Sequence, residues 1–451
     1  MKLGGVTLAT LLAAAFASPA FAQDDSAVMA AELARQKAAL ERLERREAER
    51  SNAEREAAER AKTEPALRLS GYVQLDWVLH NQASQNEVNY STGAPLNQDR
   101  FTLRRAHLRA ASERGYLTGA LEIDANTVNG PQLRPINAEL GVRFPARDDP
   151  KQPRFSLVAG LIRIPFGFEL QELDFVRPFL ERSTAARAFF PGEFDLGVRF
   201  RAQYRFFDLS LAVMNGHPLG DRSFPALAPN QKKEIIGHLG VQGEIAPGVS
   251  VAAGLSADTG NGFHEGNGTS KDRLVWRDEN GDGIVQATEV QVIAGSSATP
   301  AEQFHRFALG ADARFGIRFG EHAEFELRAE LVRASNLDRA IEPADPVAVG
   351  HDLRQLGWYL GATQEVTRWA IVGVRYDFYD PDQDAREQQA VQVVPRDRSY
   401  RTVSFLAMLR YAEARLSLQY DLNRNALGRA ANGAPTSLAS DALTARAQLR
   451  F

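Results

Sequence analysis

The chain has 451 residues, a formal net charge of −4 and no cysteine. A near-neutral balance excludes a nucleic-acid binder that works through a general basic field, and the lack of cysteine removes disulfide frameworks, thiol catalysis and thiolate metal sites while suiting an oxidising compartment. Length alone suggests about two or three soluble domains, but barrels run long as single units, so it decides little.

At the N-terminus Lys2 precedes an apolar run over residues 4–17, and Ala20, Phe21 and Ala22 stand before Gln23. This is the layout of a secretory signal with an A-x-A cleavage site, so residues 1–22 are expected to be removed. Residues 27–62 are rich in Ala, Glu and Arg and contain neither Gly nor Pro, which predicts a helix, about 54 Å long if continuous at 1.5 Å per residue. Leu33, Leu40 and Leu43 keep a heptad-compatible spacing before Glu47, Arg50 and Glu54 break the apolar seam. A short coiled coil and a solvated, salt-bridged helix both fit that pattern. Pro65 closes the segment.

From residue 66 the period changes to two. Leu67, Leu69, Val73, Leu75 and Trp77 share one face, and Arg68, Ser70, Tyr72, Gln74 and Asp76 share the other. The alternation recurs at 101–112, 115–126, 135–144, 155–164, 194–206, 207–215, 234–246 and 249–259, then at 304–319, 322–334, 354–365, 368–379, 399–412, 415–423 and 441–451, which with the first makes sixteen predicted strands. Tight turns alternate with long segments at 81–100, 164–193, 216–233, 260–303, 335–353, 380–398 and 424–440. Apolar faces that repeat on strand after strand, against faces rich in Arg and Glu, describe a wall with lipid outside and water inside; a soluble sheet needs the reverse. The expected fold is therefore an all-β transmembrane antiparallel barrel over residues 66–451, in a bacterial outer membrane and in contact with its lipid. An even strand count with short turns on one side puts both chain ends, and the helical segment 23–65, in the periplasm.

Within this series residues 164–193 stand out. Pro165, Phe166 and Gly167 end a strand, and the residues after them mix Arg177, Arg182 and Arg187 with acidic residues and with Phe175, Phe179, Phe189 and Phe190, too apolar for a solvated linker. The sequence Arg104-Arg105-Ala106 in its strand, the run from Gly160 ending in Pro165-Phe166-Gly167, the segment Phe179-Leu180-Glu181-Arg182 and the strand after Pro191-Gly192 resemble the outer-membrane porin family named for the phosphate-selective porins O and P. The resemblance implies that 164–193 is an external loop folded into the pore as a constriction. It also implies a homotrimer, and passive diffusion of small hydrophilic solutes, with anions such as phosphate among them. The last strand, with Leu443, Leu449 and Phe451 on its apolar face, resembles the signal read by the outer-membrane barrel-assembly machinery. The chain departs from the family's anion-selective members in having few lysines, none on a predicted inward face.

Candidate pore-lining, anion-binding residues are Arg105, Arg109, Arg199, Arg201 and Arg205 on inward strand faces and Arg177, Arg182 and Arg187 in the 164–193 loop. Guanidinium forks match the geometry of oxyanions. Glu122, Asp124 and Glu139 interleave with them, so ion pairs between neighbouring strands explain the same residues. The residues from Asp278 to Glu289 match a twelve-residue EF-hand loop: Asp278, Asn280 and Asp282 supply side-chain oxygens, Gly283 the sharp turn, Ile284 a carbonyl and Glu289 the closing carboxylate, a set that suits Ca²⁺. Its flanks read as strand rather than helix. No catalytic constellation stands out, and the alternatives to a porin are a barrel that anchors the envelope and a membrane-embedded hydrolase.

Overall fold

A computed structural model describes residues 66–451 apart from 82–83, 89–94, 146–152, 222–231, 321–322, 390, 427 and 430–434. The signal sequence and the helical segment expected at 23–65 lie outside the described residues. Strands β1 to β8 are Ala66–His80, Arg100–Arg114, Leu117–Asn126, Gln132–Pro145, Pro153–Arg163, Phe194–Tyr204, Phe207–Met214 and Glu234–Ala246. Strands β9 to β16 are Val249–His264, Glu302–Phe319, Ala323–Ser335, Arg354–Thr367, Ala370–Asp380, Tyr400–Tyr411, Ala414–Arg424 and Ala442–Arg450. Each pairs antiparallel with its sequence neighbours, and β1 pairs with β16 from Tyr72 opposite Arg450 to His80 opposite Ala442, which closes the ladder. The sixteen strands are those the period-two pattern marks out.

Closure joins the sixteen strands into one ring, so within the wall each strand is paired with a neighbour on both sides. The side chains are sorted opposite to a soluble fold. On β1, Leu67 and Leu69 are 66% and 67% exposed on the outer face, while Gln74 and Asp76 are 1% and 5% exposed on the inner one. Aromatic residues concentrate at the short-turn end, where Tyr116, Tyr204, Trp369 and Tyr411 are exposed. That is where an interfacial girdle belongs. The wall is built to sit in a membrane.

The two ends of the barrel differ as expected, with one addition. The connection of residues 127–131 between β3 and β4 is short although it lies at the long-loop end. The expected loop at 260–303 is trimmed to 265–301, because β9 and β10 run on past the wall as a paired arm from Gly260 opposite Arg306 to His264 opposite Glu302.

Two bulges matter for the lumen. Gln74 pairs with Arg105 and Leu75 with Leu103, so Arg104 is an extra residue on β2. Glu122 pairs with Asn137 and Ile123 with Pro135, so Ile136 is an extra residue on β4. A bulge lets consecutive residues escape strict alternation.

Candidate functional site: an ionic lumen crossed by a folded loop

Residues 164–193 leave the wall between β5 and β6, and the Ile164 N–H bonds the Glu193 carbonyl at 2.9 Å to tie the two ends together. Ile164, Phe166, Leu170, Ala185, Ala188, Phe189 and Phe190 are buried in one cluster with inward side chains of the wall, among them Met214 of β7, Ile236 of β8, Ala308 of β10, Val332 of β11 and Tyr379 of β13. Phe179 packs separately against Leu406 and Met408 of β14. Burying a Phe contributes about 1.5–3 kcal/mol, so four rings at 1–2% exposure hold the segment firmly.

The wall makes room for it. A Cβ on Gly357 of β12 would collide with the Cβ of Ala185. Gly167 has φ +58°, and a Cβ there would run into the Glu330 carboxylate. That carboxylate accepts hydrogen bonds from the N–H groups of Phe168 (3.2 Å) and Glu169 (3.1 Å), while the Ser256 hydroxyl accepts from Gly167 N–H at 2.9 Å.

A short helix, α1 (Thr184–Phe189), is capped at its N-terminus by Ser183. Its free N-terminal donors meet two carboxylates. Glu169 accepts from the Ser183 N–H (2.8 Å) and hydroxyl (2.7 Å), and Asp377 accepts from the Thr184 N–H (2.7 Å) and hydroxyl (3.0 Å). Arg375 of β13 then pairs with Glu169 at 3.2 Å, donates to the Glu181 carbonyl at 2.9 Å and stacks over the Phe179 ring at 4.8 Å.

The far side of the loop reaches the seam where the barrel closes. Glu181 pairs with Arg104 (2.7 Å) and Arg105 (3.2 Å) of β2 and with Arg446 (2.7 Å) of β16. Arg446 also pairs with Asp76 of β1 at 2.7 Å and donates to the Leu180 carbonyl at 2.6 Å. Both arginines at the β2 bulge are thus held by one loop carboxylate.

The arginines singled out in the sequence divide into four groups. Arg105 and Arg109 are ion-paired, Arg105 to Glu181 and to Asp174 (3.4 Å) and Arg109 to Glu122 (3.2 Å) and Glu139 (3.1 Å). Arg177 and Arg182 are buried inside the loop: Arg177 pairs with Asp174 (2.8 Å) and Glu193 (3.2 Å), and Arg182 donates to the Phe190 carbonyl (2.8 Å) and the Pro191 carbonyl (3.1 Å). These two brace the loop's own backbone. Arg201 is paired with Asp208 at 2.7 Å.

Arg205 does not line the lumen. Strand β6 ends at Tyr204, and Arg205 sits in the turn at φ 53°, its guanidinium over the Tyr204 ring at 5.5 Å. The alternation could be extended one step too far because a two-residue turn continues the polar–apolar pattern without a break. Arg199 and Arg187 have no carboxylate within 4 Å among the described residues; Arg199 donates to the Arg163 carbonyl at 2.9 Å and Arg187 to the Thr184 hydroxyl at 3.3 Å.

The sequence pattern does not single out Ser256, Gln419, Arg104 or Arg134 as contributors, and it marks Glu330, Arg375, Asp377 and Arg446 only as wall charges. Arg104 left a signal, since two consecutive arginines in a strand put one of them into lipid unless a bulge intervenes. Two polar cavities border the loop, of about 310 Å³ and 380 Å³, and share Arg104, Val128, Glu181 and Arg187 in their walls.

The calcium-type segment lies apart from the lumen, between the paired strands Arg273–Trp276 and Val290–Ile293. Asp278 accepts from the N–H groups of Gly281 (2.6 Å) and Gly283 (2.7 Å), Asn280 from that of Asp282 (2.9 Å), and Asp282 from that of Ile284 (2.7 Å). The Glu289 carboxylate reaches back to the N–H of Glu279 at 3.0 Å and also accepts from that of Gln286 at 3.0 Å. Those hydrogen bonds, from Ile284 and from Gln286 in turn, hold Asp282 and Glu289 below the usual carboxylate range. Among the described residues no three His, Cys, Asp or Glu side chains are grouped closely enough to hold a metal. The candidate donors are all oxygen, and these hydrogen bonds fold the loop back on itself.

No family model matches the chain, and no curated protein matches it. Among solved structures it is similar to OmpT, an outer-membrane protein of Vibrio cholerae in trimer form, at 8% identity and TM-score 0.47, over 86% of this chain and 99% of that one. It is similar also to an anion-selective porin from Comamonas acidovorans, at 12% identity and TM-score 0.47, over 86% of this chain and 100% of that one. A third is OmpF of Salmonella typhi in complex with daunomycin, at 11% identity and TM-score 0.47, over 85% and 97% of the two chains. The resemblance to the phosphate-selective porins O and P rests on the motifs between Phe101 and Phe206.

Proposed function

We propose that this protein is an outer-membrane porin through which small hydrophilic solutes diffuse passively, with the 164–193 loop as its constriction. One observation carries the reading: a closed wall with lipid-type side chains outside encloses paired and unpaired charges inside, and a folded segment is anchored across that space. Such a lumen is wet, and its charges select by sign rather than by turnover. Reconstitution in planar bilayers tests it. Stepwise conductance in potassium chloride is the expected result; a folded barrel that carries no current would reject the reading.

Anion preference, phosphate included, belongs to the same proposal and rests on the arginines that lack carboxylate partners. Arg199→Gln should move the reversal potential in a salt gradient toward cations, whereas Arg205→Gln, in the turn, should leave it at the wild-type value. Equal shifts for the two would contradict the assignment of Arg199 to the lumen. A homotrimer and insertion by the barrel-assembly machinery are proposed on the ground of the sequence resemblance.

We also propose that Asp278, Asn280, Asp282, Ile284 and Glu289 bind Ca²⁺ on the external face, with an affinity of about 10⁻⁴ to 10⁻³ M, as in extracellular modules. Limited proteolysis of intact barrels should show cleavage near Asp278 rising when calcium is chelated. Asp278→Ala combined with Asp282→Ala should be cleaved equally with and without calcium, and a wild type without calcium-dependent protection would end the assignment.

A further inference from the structure

The larger of the two polar cavities beside the loop, about 380 Å³, falls at the small end of the range of small-molecule sites, roughly 300–1,000 Å³. Resting on the porin reading above, we propose that it is a binding site for small amphipathic organic anions, in which a carboxylate head is joined to an apolar body.

The charge balance of its lining points to the head. The carboxylates there are Asp124, Asp174, Glu181 and Glu193. Each already has a basic partner: His107 lies 3.4 Å from Asp124, Arg177 2.8 Å from Asp174, Arg104 2.7 Å from Glu181 and Arg177 3.2 Å from Glu193. Two guanidiniums in the same lining, Arg134 of β4 and Arg187 of α1, have no carboxylate within 4 Å among the described residues, and both are exposed. The uncompensated charge of the cavity is therefore positive, and it sits on groups whose planar fork matches a carboxylate.

The rest of the lining points to the body. Ile136, Phe194 and Leu219 belong to one apolar cluster, at 5%, 6% and 6% exposure, and all three line this cavity together with Pro191 and Ile341. Ile136 is there because of the β4 bulge beside Pro135, which adds an apolar side chain to a lumen face that strict alternation would leave polar. An inorganic ion gains nothing from such a wall and gives up hydration beside it. A solute with a ring or a branched chain gains on both counts.

Benzoate is the probe and inorganic phosphate the comparison, with binding to the full-length barrel in detergent measured by calorimetry or ligand-observed NMR. Benzoate should bind more tightly than phosphate. Arg187→Gln, at an exposed position, should weaken benzoate binding roughly tenfold or more, the range of a lost charge-assisted hydrogen bond, and Arg134→Gln should act in the same direction. Leu219→Asn should weaken benzoate and leave phosphate unchanged. The proposal is overturned if phosphate binds as tightly as benzoate, or if neither arginine substitution changes benzoate binding in a barrel that remains folded. Because binding is read without current, it separates from the porin reading: conductance without benzoate binding sinks this site alone, and binding without conductance sinks the channel alone.

Discussion

Replacing residues 170–188 by a short Gly-Ser link should raise single-channel conductance severalfold while the barrel stays closed. The segment fills lumen between β7 and β16, with Phe179 on β14, Leu180 held by Gln419 of β15 and Arg446 of β16, and α1 against β12 and β13. None of these contacts belongs to the strand ladder, whose hydrogen bonds run from strand to strand around the full ring. Loss of the loop uncovers apolar wall positions such as Leu406 and Met408 to water, so some stability is lost, but closure is not at stake. Bilayer recordings check the result, with the shift in gel mobility on heating as the control for folding. A folded deletion variant with wild-type conductance would show that the segment does not limit flow.

Arg375→Met should loosen the loop without removing it. Glu169 and Arg375 are 3% and 4% exposed, and breaking a buried pair by deleting one partner costs about 3–5 kcal/mol, because the remaining charge is left uncompensated. Here the remaining charge is Glu169, which is also the acceptor for the Ser183 cap of α1. The expected outcome is noisy, flickering current and new trypsin cleavage at Arg182 or Arg187, both of which the barrel wall encloses while the loop is seated. Glu169→Gln in the same background should restore part of the quiet behaviour, since a neutral amide still offers Ser183 an oxygen. If the single substitution leaves both current and cleavage unchanged, Arg375 is not the anchor its three contacts imply.

The sixteen strands were legible because each carries its own period-two pattern and lipid enforces it; a lapse on the outer face costs a buried charge. The interior of the lumen was less legible for a physical reason. A candidate arginine reads the same whether it pairs with a neighbouring strand, as Arg109 does, braces the loop that carries it, as Arg177 does, or stands without a carboxylate partner, as Arg187 does. Those outcomes depend on which residues a 30-residue segment meets across the barrel, and no local pattern encodes that meeting. Glu330 and Asp377 could be placed on inward faces, yet their service as acceptors for loop N–H groups needs the fold. Bulges at Arg104 and Ile136 shifted two more side chains into the lumen. Arg205 failed in the other direction, assigned to a strand that stops one residue earlier.

The position of Glu181 bears on the order in which this molecule comes together. Its three arginine partners lie on β2 and β16, on either side of β1, and Arg446 reaches across the same join to Asp76. The first and last strands of the barrel are more than 300 residues apart in the chain, so this set of partners does not exist until the last strand has docked on the first. The Glu181 ion-pair set is therefore completed last, by the event that also finishes the wall. In an open sheet the Arg446 half of this set has no place to form; once the ring is shut, the loop clamps the one join in the wall that no covalent turn spans.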